Sequence, residues 1–247
     1  MAKIGGTAGT AIFVIGALLL AGVSSMFRDD SAAELTAVIV DQLSLTAPGE
    51  EFARDATAQL EATGYKVDYI PGKSVTVDFY RTLPKAGYDL VLLRAHSSAE
   101  ITRGEESVAS VSLFTNEPYD AGKYRDDQQS GRIGFASYTD EGPQYFGVTA
   151  DFVKETMEGD FGGALVIMMG CDGLRNERAG EAFVGRGARA FISWSQLVSA
   201  EHTDLSTDRL LTHLLVDGLE PAQAVTRTMD EVGPDPAYGA VLRSYSE

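Results

Sequence analysis

From residue 34 onward the chain alternates between short continuous apolar runs and longer segments in which apolar side chains recur every three or four positions. ELTAVIVDQL (residues 34–43) is a β-branched run without alternation, the pattern of a strand buried on both faces. PGEEFARDATAQLEATG follows, with a proline start, apolar positions at Phe52, Ala56 and Leu60 and a stop at Gly64; it predicts a helix. YKVDYI predicts a second strand, SVTVDFYRTLPKAG a helix weakened by its β-branched residues, and Tyr88 to Ala95 a third strand. Strand, helix, strand, helix, strand is the rhythm of a parallel sheet with crossover helices.

The rhythm breaks between Ser97 and Gly147. SVASVSLFTNEPY and GRIGFASYT alternate apolar and polar residues around the polar DAGKYRDDQQSG, which predicts an inserted hairpin or small ribbon close to the end of the third strand. The regular pattern then resumes. VTADFVKETM predicts a helix, GALVIMMG a strand, AGEAFVGRGA a helix and RAFISWSQLV a strand. DLSTDRLLTHLLVDG and PAQAVTRTMDEVG predict two more helices, and AYGAVLRSYS a last strand at the edge. The expected fold class is therefore α/β, a layered sandwich around a mostly parallel sheet. The domain division is 1–31 and 32–247, the second carrying the insertion at about 97–147.

The first of these segments is of another kind. No charge falls between Ile4 and Phe27, and as a helix rising about 1.5 Å per residue this stretch covers a hydrocarbon core of about 30 Å. It is expected to be a single membrane-spanning helix through residues 4–27, placed before the α/β domain. Lys3 before it, and Asp29 and Asp30 after it, put the N-terminus in the cytoplasm and the domain outside. The competing reading is a secretory signal peptide cut near Val23-Ser24-Ser25, which would release a secreted domain.

Charge and cysteine content narrow the chemistry. With 36 acidic against 20 basic residues the formal charge is −16, so nucleic acid and anionic membrane surfaces are excluded as expected partners. Only six of the basic residues are lysine, a balance that solvation in high salt also favours. The single cysteine, Cys171, rules out an internal disulfide, and the three scattered histidines form no metal-ligand cluster with it, so neither a metal nor a cofactor is expected.

Position then singles out residues. In a doubly wound sheet, ligands bind beyond the carboxyl ends of the strands. Four predicted strands end there in chemically capable groups: Asp41, His96, Cys171 and the pair Trp194-Ser195. A histidine and a lone cysteine on neighbouring strand ends are what thiol nucleophile chemistry requires, an acid-base group within reach of the sulfur. Gly170 and Gly173 allow a tight turn around the thiol. Each residue alone also has a purely structural reading, and His202 and His213 are read as structural or solvated.

A strand ending in histidine, an insertion, a strand ending in cysteine, a glycine-rich helix and a strand carrying Ser193-Trp194-Ser195 together resemble the caspase-like (clan CD) cysteine peptidases. GCDGLRNERAGEAFVGRGARAFISWSQLVS is closer to gingipain and CHAT-type domains than to animal caspases. The resemblance implies a caspase-like three-layer sandwich, Cys171 as nucleophile and His96 as acid-base partner. It implies protein or peptide substrates, and an oxyanion hole made by the backbone N–H groups of Ser97 and Cys171. Ser97 stands where the family commonly has glycine, and the histidine precedes the cysteine by 75 residues (171 − 96). The resemblance also places the pocket for the residue before the cut bond at Asp41, Asp172, Trp194 and Ser195, and two carboxylates there imply cleavage after Arg or Lys. The alternatives are a catalytically silent caspase-like module that binds peptides or partner proteins, and a thiol hydrolase of a different α/β family.

Overall fold

A computed structural model describes residues 34–101, 108–139 and 141–247. In chain order, β1 (Leu35–Asp41) leads through a 3-10 turn (Gln42–Leu45) to α1 (Glu50–Ala62) and β2 (Tyr65–Pro71). The helix α2 (Val77–Thr82), capped by the Thr76 hydroxyl accepting from Phe79 N at 3.1 Å, passes through a 3-10 turn to β3 (Leu90–Arg94). The insertion holds β4 (Ser97–Ile101), β5 (Val108–Pro118), α3 (Arg125–Gln129), β6 (Ile133–Ser137) and β7 (Gln144–Thr149). After it come α4 (Ala150–Glu155), β8 (Leu165–Met168), α5 (Arg178–Gly185), β9 (Ala190–Trp194), α6 (Ala200–Leu215), α7 (Pro221–Val232) and β10 (Leu242–Tyr245).

The main sheet has six strands in the order β2-β1-β3-β8-β9-β10. All neighbours are parallel except β10, which closes the edge antiparallel to β9. Alternation along each strand feeds two cores. Val38, Val40, Val91, Leu93, Val166 and Met168 face α2, α4, α5 and the inserted sheet. Ala37, Ile39, Leu90, Leu92, Leu165 and Ile167 face α1, α6 and α7. Burial on both faces is why these strands read as unbroken apolar runs, and the result is an α/β fold of three layers.

The described residues form one compact unit. Residues 4–27 lie outside the described residues, and among those described no helix is long and apolar enough to cross a membrane. The insertion is more than a hairpin. It is a four-stranded antiparallel sheet in the order β4-β5-β7-β6. The helix expected from Val148 begins at Ala150 instead, because Val148 and Thr149 still pair with β5, and the Thr149 hydroxyl caps α4.

The chain turns back across the sheet once. β2 lies on one side of β1 and β3 on the other, so the crevice of this topology opens at the carboxyl ends of β1 and β3. β8 borders β3 directly, and its carboxyl end shares that edge.

Candidate active site

Two chain segments run side by side past this edge. Leu93 is in register with Met168, and Met169 N donates to Leu93 O at 2.8 Å, so both strands leave the sheet together. Beyond them the Ser97 hydroxyl donates to Cys171 O at 2.5 Å. A Cβ on Gly170 would run into Ser97 Oγ and Ala95 O, so only glycine permits this approach. The thiol segment turns back through Asp172, a non-glycine residue at φ +61°. That left-handed conformation is tolerated by aspartate better than by most side chains. It is pinned by Asp172 N donating to Gln196 O and by Arg175 N donating to Asp172 O, both at 3.0 Å.

Four partners hold His96. Its backbone N–H donates to the buried Gln42 side chain at 2.8 Å, and its carbonyl accepts from Phe114 N at 2.9 Å. Ring atom Nε2 lies 3.0 Å from Thr46 Oγ1. The Tyr138 ring, reaching across from the inserted sheet, packs on the imidazole with centroids 4.7 Å apart. Burial, reinforced by the Arg94 charge, lowers the His96 pKa below the ordinary imidazole value of 6.5. The imidazole is accordingly neutral at pH 7, the form in which it can take up a proton.

Cys171 is half-buried and is a free thiol. Its sulfur lies 3.5 Å from Val198 N and 3.7 Å from Val198 O, on the loop after β9. Burial raises the thiol pKa, and the charges of Asp172 and Asp235 add to this; the N–H groups of Val198 and of Cys171 itself offset only part. Neither sulfur nor imidazole contacts the other: among the described residues their polar contacts are to Val198 and Thr46. Both groups are accordingly neutral at pH 7. Alkylation of Cys171 by iodoacetamide is therefore expected to rise with pH to a midpoint above the usual thiol value of about 8.5. A plateau between pH 5 and 7 would reveal a preformed thiolate–imidazolium pair instead.

The register of the insertion bears on the expected oxyanion hole. Ser97 is opposite Leu113, and Phe114 N donates to His96 O, which makes Ser97 and Leu113 a non-hydrogen-bonded pair. The Ser97 N–H is thereby turned away from β5. Since β4 is the outer strand of its sheet, that N–H points off the sheet's edge.

No protein-family model matches the chain, and no curated protein matches it.

The four expected pocket residues have other employment. Asp41 is buried and accepts from Arg94 Nη1 and the Tyr69 hydroxyl, both at 2.9 Å; burial, with the Asp41 carboxylate beside it, pushes the tyrosine pKa up to about 12 against the opposing charge of Arg94. Trp194 is fully buried in the core facing α6, where its indole donates to Thr203 Oγ1 at 2.8 Å. Ser195 is buried and clasps Val241 by two hydrogen bonds, of 3.0 and 3.1 Å, in the continuation of the β9–β10 pairing. Asp172 is buried and ion-paired with Arg175 at 3.0 Å, the arginine side chain being about one-third exposed. His202 packs on Trp194, and His213 bridges Asp217 and Glu231, both structural placements.

Several site residues escape the strand-end reading. Gln42 follows Asp41 directly and faces the opposite way, tying His96 to Asn116 and Tyr138 of the inserted sheet. Asp235 receives four hydrogen bonds, from the N–H and hydroxyl of Ser199 and the N–H groups of Ala237 and Tyr238. It thereby fixes the loop that carries Val198 to the thiol, and those bonds, against its own desolvation, hold its carboxyl below the usual range.

Proposed function

We propose that residues 32–247 form a caspase-like cysteine peptidase in which Cys171 is the nucleophile and His96 the acid-base partner. The observation that supports this reading is the Ser97 hydroxyl bond to Cys171 O, which holds the backbone of the only cysteine against the segment that carries His96 at one crevice edge. The sulfur attacks the scissile carbonyl carbon as its proton passes to His96. The oxyanion that forms accepts from the N–H groups of Ser97 and Cys171. Collapse breaks the C–N bond, His96 gives its proton to the leaving amine, and water hydrolyses the thioester with His96 again as base. The absence of a resting Cys–His contact is common in ligand-free sites, where such bonds tighten on substrate.

Substrates with Arg or Lys before the cut bond fit this site through Asp172. Asp41 is already neutralised by Arg94, whereas the partly exposed Arg175 can exchange with a substrate cation on the Asp172 carboxylate. Residues 4–27 would hold the domain at the membrane, facing outward. Digestion of a mixed peptide library by the full chain is expected to create new termini after basic residues. A preference for acidic residues at that position would overturn the specificity.

A second reading is favoured by one observation. Thr46 and Val198 occupy His96 and Cys171 separately, as they would in a silent module that only binds peptides in the crevice. A folded chain that binds library peptides and cuts none would establish it.

A further inference from the structure

A histidine that protonates the leaving amine fixes where the departing half of a substrate must lie. The nitrogen it protonates belongs to the residue after the cut bond, so that residue rests against whatever surrounds the imidazole. Two aromatic rings do, and both come from the inserted sheet. Tyr138 has its ring centroid 4.7 Å from that of His96, and Phe114 lies at 6.0 Å. Tyr138 also meets Phe114 at 5.7 Å and Tyr145 at 5.2 Å. Phe114 is buried, whereas Tyr138 and Tyr145 are half-buried.

Register carries this surface away from the histidine. His96 O accepts from Phe114 N, Phe114 is opposite Gly147, and Gly147 is opposite Gly134. Opposed residues share a face, so these four form one row across the inserted sheet. Leu113, Phe146 and Val148 alternate with them and point the other way, into the core shared with the main sheet. With strands about 4.8 Å apart the row is roughly 14 Å long, which spans about four residues of extended peptide.

The two glycines at the far end of the row are not demanded by the fold. Neither has a positive φ. A Cβ on Gly134 would meet nothing within 4 Å, and one on Gly147 would make ordinary contact, 3.4 Å from the Cβ atoms of Ala136 and Ser112. Glycine weakens a strand interior and often marks a place where a ligand or a second backbone comes close. In a chain of formal charge −16, neither the row nor its tyrosine flank holds a carboxylate.

We infer that this face of the inserted sheet is the subsite for the leaving half of the substrate. Tyr138, backed by Phe114 and Tyr145, takes an aromatic side chain on the residue after the cut bond, and the next residues cross the trough over Gly147 and Gly134. The inference rests on the peptidase reading for its place in the reaction.

The test compares two peptides with a basic residue before the cut bond and either Phe or Ala after it, digested by the full chain. Wild type is expected to favour Phe about ten-fold in kcat/KM. The ratio falls to about one in Tyr138→Ala and survives in Tyr138→Phe, which keeps the ring and gives up only the hydroxyl bonds to Gln42 and Asn116. Being a ratio, it is read independently of any loss of overall rate. Gly134→Val, which a strand accepts readily, fills the trough and should slow cutting of peptides that extend three residues past the cut bond more than of those that extend one. A wild-type preference for Ala, or a Phe preference unchanged in Tyr138→Ala, overturns the subsite. A binding measurement separates this failure from that of the peptidase reading. The tripeptide Phe-Ala-Ala, with its free amine, is titrated into the full chain while the His96 ring resonances are followed. If wild type cuts nothing but the tripeptide shifts His96 in wild type and not in Tyr138→Ala, the subsite stands and the peptidase reading fails; no shift in wild type removes the subsite.

Discussion

Replacing Cys171 with alanine is expected to remove peptide cleavage entirely, a loss of at least about 1,000-fold, because no second thiol exists to take over the covalent step. His96→Ala should cost about 10²- to 10⁴-fold at pH 7, the usual contribution of a positioned acid-base group. His96→Ala and wild type should differ most in their response to pH. Burial keeps the Cys171 thiol protonated near neutrality, so without His96 few molecules carry the nucleophile. Raising the pH ionises the thiol directly, and the His96→Ala rate should climb about ten-fold per unit until the raised thiol pKa is passed. Wild type follows a different course. The His96 pKa is lowered, so the base form is present at neutrality and is lost only as the pH falls through a value below the usual 6.5. Its acid limb should therefore lie lower than that of an exposed histidine. A single-turnover pH series on wild type and His96→Ala measures this, and a His96→Ala profile parallel to wild type would remove His96 from the chemistry.

Arg94→Met is expected to destabilise the domain by about 3–5 kcal/mol, the cost of stranding a buried charge. Arg94 is about 1% exposed and lies at the end of β3. Its Nε and Nη2 bond both Asp204 oxygens at 2.8 and 2.9 Å, and Nη1 reaches Asp41 at 2.9 Å and Ala47 O at 3.0 Å. Burial disfavours the guanidinium charge, but the two carboxylates more than offset this and hold its pKa above the ordinary value. Without it, Asp204, about 20% exposed, still reaches water, whereas Asp41, about 1% exposed, keeps only the Tyr69 hydroxyl among the described residues. The penalty therefore belongs mainly to Asp41, and Arg94→Met/Asp41→Asn should recover a substantial part of it. Urea midpoints of the two variants against wild type settle the point; equal midpoints for Arg94→Met and wild type would mean that the triad contributes nothing. The crevice should suffer as well, since the triad ties β1, β3 and α6 together beside His96.

The strand and helix order was legible because its signals are local. The β-branched run before Asp41, the glycine stops and the proline at the head of α7 each mark an element by themselves. So was the placement of His96 and Cys171 beyond adjacent strands, which follows once the sheet is parallel. What the strand-end reading leaves out is direction and partners. Asp41 and Gln42 are consecutive polar residues at one strand end, and alternation sends one to Arg94 and the other to His96. Arg94 was the visible clue, a lone cation in the apolar run LVLLRA that requires a buried counter-charge. Trp194, singled out because it ends a strand, lies on the face of β9 covered by α6. The inserted sheet was only half seen. β7 (QYFGVT) runs straight into α4, and no turn residue separates them to mark the change of period.

The pairing of one thiol with one histidine is the central claim, and covalent capture tests it most directly. The full chain is incubated with an acyloxymethyl ketone carrying Arg or Lys, and the adduct is mapped by mass spectrometry in wild type, His96→Ala and Cys171→Ala. The account predicts an adduct on Cys171 in wild type, slower formation in His96→Ala and none in Cys171→Ala. A folded wild type that takes up no basic, acidic or apolar probe, or takes it up at the same rate without His96, would contradict it.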